Sequence, residues 1–340
     1  MVRDMKKHYN IPVFITHSGC RNECIFCNQK IITGQSGSLD EEKIRRTIEK
    51  FAGIISNRQL NSTTGAEIAF FGGSFTGIEK SQMIKLLEIA NEYIKKYDMI
   101  KAVRISTRPD YISPEIIDIL IKYNVKSVEL GIQSMSAEVL AACKRGHTIK
   151  DTVKACEIIK TAGINLTGQM MLGLPESDRQ KDIATAAEIV KLGANAARIY
   201  PVVVLKNTKL YDMYKNGLYE PLNLDEAVFR AKEIKKIFDL NGLEILRMGL
   251  CSSDIAESDI AAGPYHPAFG ELVENEVIYE KLVEKIKNTN DKNIVIYINK
   301  KDMSKTVGHK RKNIERLNCV FKNSGINRIQ IVPVKDGDKF

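Results

Sequence analysis

Short apolar runs alternate with longer amphipathic stretches over the first two thirds of the chain, and this alternation limits the possible folds more than any other feature. Six runs rich in β-branched residues predict buried strands, from IPVFITH at residue 11 to AARIYPVVV, which ends at residue 204. Ser113-Pro114 is an N-cap followed by proline at the first helical position, and Gly163 and Gly193 are placed to end two later helices. Strand–helix units whose strands are apolar along their length predict a parallel sheet covered by helices. Six such units predict a partial α/β barrel.

The remaining third of the chain predicts an extension of this barrel and a small second domain. Helices are expected over 209–216 and 224–241, and LEILRMGL (243–250) has the pattern of a strand. An irregular Gly/Pro-containing stretch then separates residues 1–262 from residues 263–340. The second part predicts a helix at 271–288, a strand NIVIYIN, a basic loop and helix, and a final strand INRIQIVPV. We therefore expect a barrel domain (1–262) and a C-terminal α+β domain (263–340).

The location and the number of the cysteines favour a metal or catalytic use for some of them. The apolar stretch 11–15 is too short for a signal peptide, and no apolar run approaches the ~18–20 residues that span a bilayer. We therefore expect a cytoplasmic protein without a membrane partner, in which thiols stay reduced. The chain has seven cysteines, of which three are clustered. The four dispersed ones are expected to be buried structural thiols: Cys143, Cys156, Cys251 and Cys319.

The net charge of +9 is concentrated at the end of the chain. Residues 280–340 hold 15 Lys+Arg and 7 Asp+Glu, a net +8, which leaves +1 for residues 1–279. A basic module of this kind suits a phosphate polyanion such as RNA, and it would also attract an acidic tetrapyrrole. A solvated cationic helix without a ligand is the alternative interpretation.

Cys20, Cys24 and Cys27 lie in GCRNECIFCNQ, with the spacing C-x3-C-x2-C, directly after the first predicted strand. Thiolates are soft ligands that suit zinc or an iron–sulfur cluster. Structural zinc takes four ligands, whereas a [4Fe-4S] cluster held by three cysteines keeps one iron open for chemistry. A zinc site would need His17 or a distant cysteine as its fourth ligand. The spacing therefore favours the cluster.

The cysteine motif, with Phe26 before its third cysteine, resembles that of the radical S-adenosylmethionine (radical SAM) enzymes. This resemblance implies a TIM-like partial (β/α)6 barrel and three cysteines that hold a [4Fe-4S] cluster. It also implies that SAM binds the open iron and is cleaved by reduction to a 5′-deoxyadenosyl radical. An electron donor such as flavodoxin or ferredoxin would supply the reducing electron.

Polar residues at the ends of later strands match the positions that this family uses for SAM. Gly72, Gly73 and Ser74 occupy the place of the glycine-rich motif whose backbone receives the SAM amino group, and a simple glycine turn is the alternative. Arg145 resembles the arginine that the family directs at the SAM carboxylate. The alternative is that it lies in a solvated basic turn. Hydroxyl and amide groups at other strand ends suit contacts with SAM, although they could equally cap the next helices. These are Ser106, Gln133 and Gln169.

Several segments, including FGGSFTG, STRPDY, RGHT and residues 199–219, resemble the radical SAM half of the Elongator catalytic subunit, a tRNA-modifying enzyme. The chain is too short to carry that family's acetyltransferase domain as well, so the resemblance does not extend to acetyl transfer. GIQS and the general layout are also similar to oxygen-independent coproporphyrinogen oxidase, which makes a tetrapyrrole enzyme the alternative. A cluster-bearing accessory protein that only binds its target is a third possibility.

The basic tail resembles part of a KH RNA-binding unit, in which a GxxG loop clamps a nucleic-acid backbone. Gly308 fits this pattern, but Arg311 stands where the second glycine is expected. Lys310, Arg311 and Lys312 are the candidate RNA contacts. Tyr265 and His266, in GPYHPAFGE, are candidates for substrate contact or proton transfer, and a rigid interdomain turn explains the same segment. Together these features predict a radical SAM enzyme that acts on RNA, with tRNA as the favoured substrate.

Overall fold

The structure is a computed structural model, and it describes residues 9–15, 19–20, 24–27, 40–57, 65–250, 255–289, 291–308, 311–322, 326 and 328–334. A parallel sheet of seven strands, in the order β1-β2-β3-β4-β5-β6-β8, curls into a half-barrel. A short antiparallel pair, β7 with β9, lies outside this sheet. The strands are β1 (Tyr9–Phe14), β2 (Ala66–Phe71), β3 (Ile100–Thr107), β4 (Val125–Gln133), β5 (Asn165–Leu172), β6 (Ala196–Pro201), β7 (Val204–Leu205), β8 (Glu244–Met248) and β9 (Ile260–Ala262).

Helices connect these strands and cover the outer side of the sheet, as the alternation in the sequence predicts. They are α1 (Glu41–Asn57), α2 (Lys80–Lys96), α3 (Pro114–Lys122), α4 (Ala137–Ala142), α5 (Ile149–Thr161), α6 (Arg179–Lys191), α7 (Lys209–Lys215) and α8 (Leu224–Leu240). The Ser113 side chain accepts a hydrogen bond from the Ile116 backbone N–H, as its assignment as an N-cap requires. The partial barrel of the α/β class is confirmed, and the strand-like segment after residue 243 adds a seventh strand to its sheet.

The two faces of the barrel strands differ sharply in polarity. Ile68, Phe70 and Ile105 are fully buried in the main apolar core, which the outer sheet face forms with the helices. Alternate residues point to the inner face of the half-barrel, and there the strands place charged side chains. The buried charged residues of the strands therefore lie on the inner face, whereas the apolar residues that predicted the strands pack against the helices.

The inner face holds a buried network of two arginines and two glutamates. Arg104 Nε donates to Glu67 Oε2 at 2.7 Å, and Arg104 Nη1 lies 3.4 Å from Glu129 Oε1. The same Glu129 oxygen accepts from Arg198 Nη2 at 2.8 Å. Glu67 also accepts a hydrogen bond of 3.0 Å from Ser127 Oγ. Charges that are removed from water need such pairing, because an unpaired buried ion costs several kcal/mol.

The C-terminal part forms a small two-layer unit. Two parallel strands, β10 (Asn293–Asn299) and β11 (Arg328–Val334), pack against three helices, α9 (Phe269–Lys287), α10 (Met303–Val307) and α11 (Lys312–Phe321). Helix α9 packs into the cores of both units. Its first half contributes Phe269 and Val273 to the barrel core, whereas Leu282 and Ile286 belong to the core of the small unit. The boundary at residue 262/263 stays a prediction.

Burial separates the dispersed cysteines into two groups. Cys143 and Cys156 are buried, as expected, and burial raises the pKa of each thiol to about 12. Cys319 is exposed, so its assignment as a buried thiol is wrong: it lies on the side of α11 that faces away from the small core. Cys251 lies outside the described residues. Over the residues that the structure describes, no helix is long and apolar enough to span a membrane.

Candidate functional site

The predicted cofactor residues gather at the carboxyl edge of the half-barrel, because all seven strands run in the same direction. The cysteine loop follows β1, the Gly-Gly-Ser turn follows β2, and Gln133 ends β4. Ligands of parallel α/β barrels bind at this edge, where the loops after the strands converge. The strand order thus brings together residues that are more than a hundred positions apart in sequence.

The start of the cysteine loop contacts the loop after β2. Cys20 Sγ lies 3.3 Å from Ser74 Oγ, and Ser74 itself is 1% exposed. Gly19 has φ +84°, and a Cβ at this position would overlap the carbonyl oxygen of Ser74 and lie 2.6 Å from the carbonyl carbon of Gly77. Only glycine fits so close to another backbone segment. Ser74 therefore contacts a predicted metal ligand, in addition to standing in the motif predicted for SAM.

Backbone conformation supports the glycine-rich turn itself. Gly72 and Gly73 have φ of +78° and +121°, a region that side-chain-bearing residues rarely adopt. The turn is anchored to the next strand by a hydrogen bond of 2.6 Å between the hydroxyls of Thr76 and Thr107, both buried. An exposed backbone held at such angles can approach a ligand closely, as the motif requires.

Arg145 reaches the second cysteine from the loop after α4. Its Nη1 donates to Cys24 Sγ at 3.1 Å, while its Nη2 donates to the Gly131 carbonyl at 2.7 Å. Arg145 is 6% exposed, so the alternative of a solvated basic turn is wrong. The guanidinium thus lies at the cysteine loop, at the position from which a cation can face both a thiolate and a bound carboxylate.

The middle of the cysteine loop is held by apolar packing. Ile25 is 2% exposed and packs with Val139 and Leu210, and its carbonyl accepts a hydrogen bond of 2.8 Å from the Leu210 backbone N–H. Phe26 packs at the edge of the same cluster and is partly buried. This anchoring fixes the loop from the side opposite to Ser74. Phe26 is therefore placed as a structural support of the loop as well as a candidate cofactor contact.

Two buried groups beside this loop, Arg108 and His147, were given no role from the sequence. Arg108 is 3% exposed and makes two hydrogen bonds of 2.9 Å to the Asp110 carboxylate, while its Nη1 is buried without a hydrogen-bond partner among the described residues. Burial acts to lower the pKa of Arg108, but the hydrogen bonds and the charge of Asp110 outweigh it and raise the pKa above its usual value. The segment STRPDY contains this Arg–Asp pair, so the pair could have been predicted from the sequence.

His147 lies in the same cationic surroundings. Both ring nitrogens are buried and lack a hydrogen-bond partner among the described residues. Burial, together with the positive charges of Arg145 and Arg108, lowers the pKa of His147 to about 3. The histidine is therefore neutral at physiological pH, and it adds a polar but uncharged group to this wall of the site.

The remaining SAM candidates line the inner side of the same edge. Gln133 is 5% exposed, has φ +65°, and its Oε1 is buried without a hydrogen-bond partner. A non-glycine residue in this region stores strain and is a common feature of ligand sites. Ser106 and Gln169 lie on β3 and β5 and are partly exposed.

The donor set fits an iron–sulfur cluster, and the orphaned polar atoms fit a charged cofactor beside it. Among the described residues, no three His, Cys, Asp or Glu side chains already converge as a metal site. However, the loop supplies three thiols, of which Cys20 and Cys24 are contacted by Ser74 and Arg145. Unpartnered buried atoms of Arg108 and Gln133 at the same edge are what an anionic or polar ligand would satisfy. These residues therefore match the predicted [4Fe-4S] cluster and SAM.

Tyr265 and His266 lie directly before α9. The Tyr265 ring packs against a small apolar cluster with Val203 and Leu205, and its hydroxyl is buried without a hydrogen-bond partner among the described residues. His266 Nδ1 accepts a hydrogen bond of 3.1 Å from the Ala268 backbone N–H. The bond fits the interpretation of this segment as a rigid turn, and the catalytic assignment of both residues stays a prediction.

The candidate RNA contacts fall in the connection between α10 and α11. Lys310 lies outside the described residues. Arg311 is exposed with φ +63°, the conformation that favours glycine, at the position where the GxxG pattern has its second glycine. Lys312 Nζ lies 3.4 Å from Asp225 of α8. One of the candidate cations thus lies beside a carboxylate of the barrel, while its side chain stays 62% exposed.

Two family models match most of the chain. The model of the Radical SAM superfamily matches residues 14–187, and a Radical_SAM C-terminal domain model matches residues 194–279. The first match begins at the end of β1 and includes the cysteine loop, the Gly-Gly-Ser turn and Arg145. The second includes β6 to β9 and the part of α9 that packs on the barrel.

Individual relatives are similar in sequence to shorter stretches of the chain. The chain is 35% identical over 175 residues to a tRNA uridine(34) acetyltransferase of Methanocaldococcus jannaschii, which is 51% of this chain and 32% of the relative. It is 30% identical over 129 residues to Elongator complex protein 3 of Saccharomyces cerevisiae, which is 37% of this chain and 23% of the relative. The matches therefore span about a third or less of these relatives.

A solved structure extends the similarity beyond these stretches. An N-terminally truncated Elp3 of Methanocaldococcus infernus superposes with a TM-score of 0.64 at 26% identity. The superposition covers 83% of this chain and 64% of the other one. The resemblance that the motifs indicated is therefore confirmed at the level of the fold.

Proposed function

The chain belongs to the radical SAM superfamily, and from this premise we propose that it cleaves SAM reductively and abstracts hydrogen from an RNA substrate, with tRNA as the first candidate. Cys20, Cys24 and Cys27 would hold the [4Fe-4S] cluster. When bound, the cluster supplies the electron that converts SAM to methionine and a 5′-deoxyadenosyl radical. We also propose a one-electron donor of the flavodoxin or ferredoxin class.

The single observation that supports this proposal best is the pair of contacts that the cysteine loop makes. Ser74 contacts Cys20, and Arg145 contacts Cys24, and both partners come from motifs that the resemblance assigns to SAM. The same residues that would bind SAM therefore border the thiols that would bind the cluster. A structural metal site would not need its ligand loop placed between two such motifs.

The chain's own residues have distinct roles in this proposal. Arg145 and Arg108 add positive charge beside Cys24, which favours thiolates, a reduced cluster and a bound carboxylate. Gly72 and Gly73 let the backbone approach the cofactor, and Gln133 offers an unsatisfied amide oxygen. The apolar packing around Ile25 limits the entry of water from the side of the loop.

The support for RNA comes from the relatives and from the charge. One matching relative is a tRNA uridine(34) acetyltransferase, and residues 280–340 carry a net charge of +8. If the substrate is instead a tetrapyrrole, the protein should not show RNA binding that weakens steeply with salt. Retention of tRNA at increasing salt therefore separates the two substrate classes, because each neutralised phosphate adds to the salt slope.

The test of the cofactor chemistry compares two cysteine variants. Anaerobically reconstituted protein with a strong reductant should form 5′-deoxyadenosine, and Cys24→Ala should lose both this activity and most of its iron. Cys319→Ala removes an exposed thiol far along the chain and serves as the matched control, with unchanged iron content and activity. Equal iron and equal product in the two variants would contradict the ligand assignment.

A further inference from the structure

In the part of the chain that the structure describes, one face of the two-stranded sheet of the small unit is exposed. Ile294, Ile296 and Ile331 pack inward against the helices. The alternate residues form what we call the outer sheet face, and Val295 and Tyr297 on it are 44% and 51% exposed. The register places four pairs across this face: Asn293 beside Arg328, Val295 beside Gln330, Tyr297 beside Val332, and Asn299 beside Val334.

The charge of the outer sheet face is of one sign. Strands β10 and β11 contain neither Asp nor Glu, and Arg328 is exposed on the outer sheet face. On the helical side of the unit, two of the cations lie beside carboxylates. Lys312 faces Asp225, and Arg316 forms a hydrogen bond of 2.6 Å with Glu276. Of the two sides, the sheet side is the one that offers a cation together with an exposed aromatic ring.

We propose that the outer sheet face binds single-stranded RNA, with one base stacked on Tyr297 and a phosphate contacted by Arg328. Sheets that bind RNA present exposed aromatic rings on which unpaired bases stack, and neighbouring amides and cations contact base edges and phosphates. Asn293 and Gln330 supply amides next to the ring. This assignment rests on the proposed RNA substrate, and it makes the small unit a second contact with that RNA, apart from the barrel.

A second copy of the chain fits the outer sheet face less well than RNA does. A symmetric pair would bring Arg328 of each copy onto a surface that has no carboxylate to neutralise it. The apolar part consists of three valines and one tyrosine, which is small compared with a stable protein interface of about 800 Å² per partner. One base needs no more than one ring and a nearby cation.

The experiment measures binding of a fluorescein-labelled single-stranded RNA of ~15 nucleotides to the reconstituted full-length protein, by anisotropy at several salt concentrations. Tyr297→Ala should weaken binding by about 5-fold to about 150-fold with the salt slope unchanged, because stacking involves no counterion. Tyr297→Phe keeps the ring and should stay within about 2-fold of the wild type. Arg328→Gln should weaken binding and reduce the salt slope by about one phosphate contact.

Controls separate this proposal from the proposed function. Tyr297 is half exposed, so Tyr297→Ala should keep the thermal unfolding temperature. Wild-type affinity in Tyr297→Ala would overturn the stacking proposal and leave the RNA substrate standing. A wild-type protein that does not bind RNA would overturn both. A change from dimer to monomer in Tyr297→Ala would overturn the proposal in favour of an interface between copies.

Discussion

Removing one charge from the inner face of the barrel should destabilise the protein far more than removing one from its surface. Glu129 is 2% exposed, and its Oε1 accepts hydrogen bonds from Arg198 at 2.8 Å and from Arg104 at 3.4 Å. Glu129→Gln keeps the shape of the side chain and deletes its charge. The network then holds two arginines against the single carboxylate of Glu67.

The expected size of the effect follows from burial. Removing one partner of a buried ion pair costs about 3–5 kcal/mol, because the remaining charge is left without compensation and without water. Glu92 provides the matched control: it pairs with Arg45 between α2 and α1, but its side chain is 57% exposed. Exposed pairs contribute about 0–1 kcal/mol, so Glu92→Gln should change stability by less than about 1 kcal/mol.

The assay is urea unfolding of both variants and the wild type, followed by circular dichroism at one protein concentration. The midpoint of Glu129→Gln should fall clearly below that of Glu92→Gln, with similar slopes for all three proteins. Equal midpoints for the two variants would refute the reasoning. That result would mean that water or a rearranged partner compensates the two arginines, and that the inner face is not a closed charge network.

Three further outcomes are expected from the site and its surroundings. Gly19→Ala should lower the iron content after reconstitution, because a Cβ there would overlap the Ser74 carbonyl and displace the cysteine loop. His147 should make the protein less stable as the pH falls below about 6.5, because the histidine of the unfolded chain binds a proton there, whereas its pKa in the fold is about 3. His147→Gln should therefore flatten the stability–pH curve between these two pH values. Iodoacetamide should label Cys319 readily in the native protein and leave Cys143 and Cys156 unmodified until urea is added.

Each of these outcomes has a result that would contradict it. Normal iron content in Gly19→Ala, read together with an unchanged melting temperature, would show that the loop accommodates the extra carbon. An identical pH profile for wild type and His147→Gln would mean that the buried ring does not titrate as described. Mass spectrometry that finds Cys143 modified before Cys319 would reverse the assigned burial.

The order of the elements and the location of the site could be predicted because both depend on local signals. An N-cap at Ser113 and the glycines at 163 and 193 act within a few residues, and the apolar runs identify strands whatever lies around them. Parallel strands place all their carboxyl ends at one edge. The cysteine loop and the later motifs therefore had to meet there once the alternation was recognised.

Contacts across long stretches of sequence decided the rest. Glu67 and Arg104 are 37 residues apart and Glu129 and Arg198 are 69 apart, so no local pattern reveals that they pair inside the barrel. In the same way, the pairing of Lys312 with Asp225 depends on how the small unit docks on the barrel. The sequence by itself determined the strand–helix alternation, the cysteine donor set and the position of the site along the chain. Only the tertiary structure decided which charges are buried and paired and which sheet face stays open, because both depend on what a side chain meets across space.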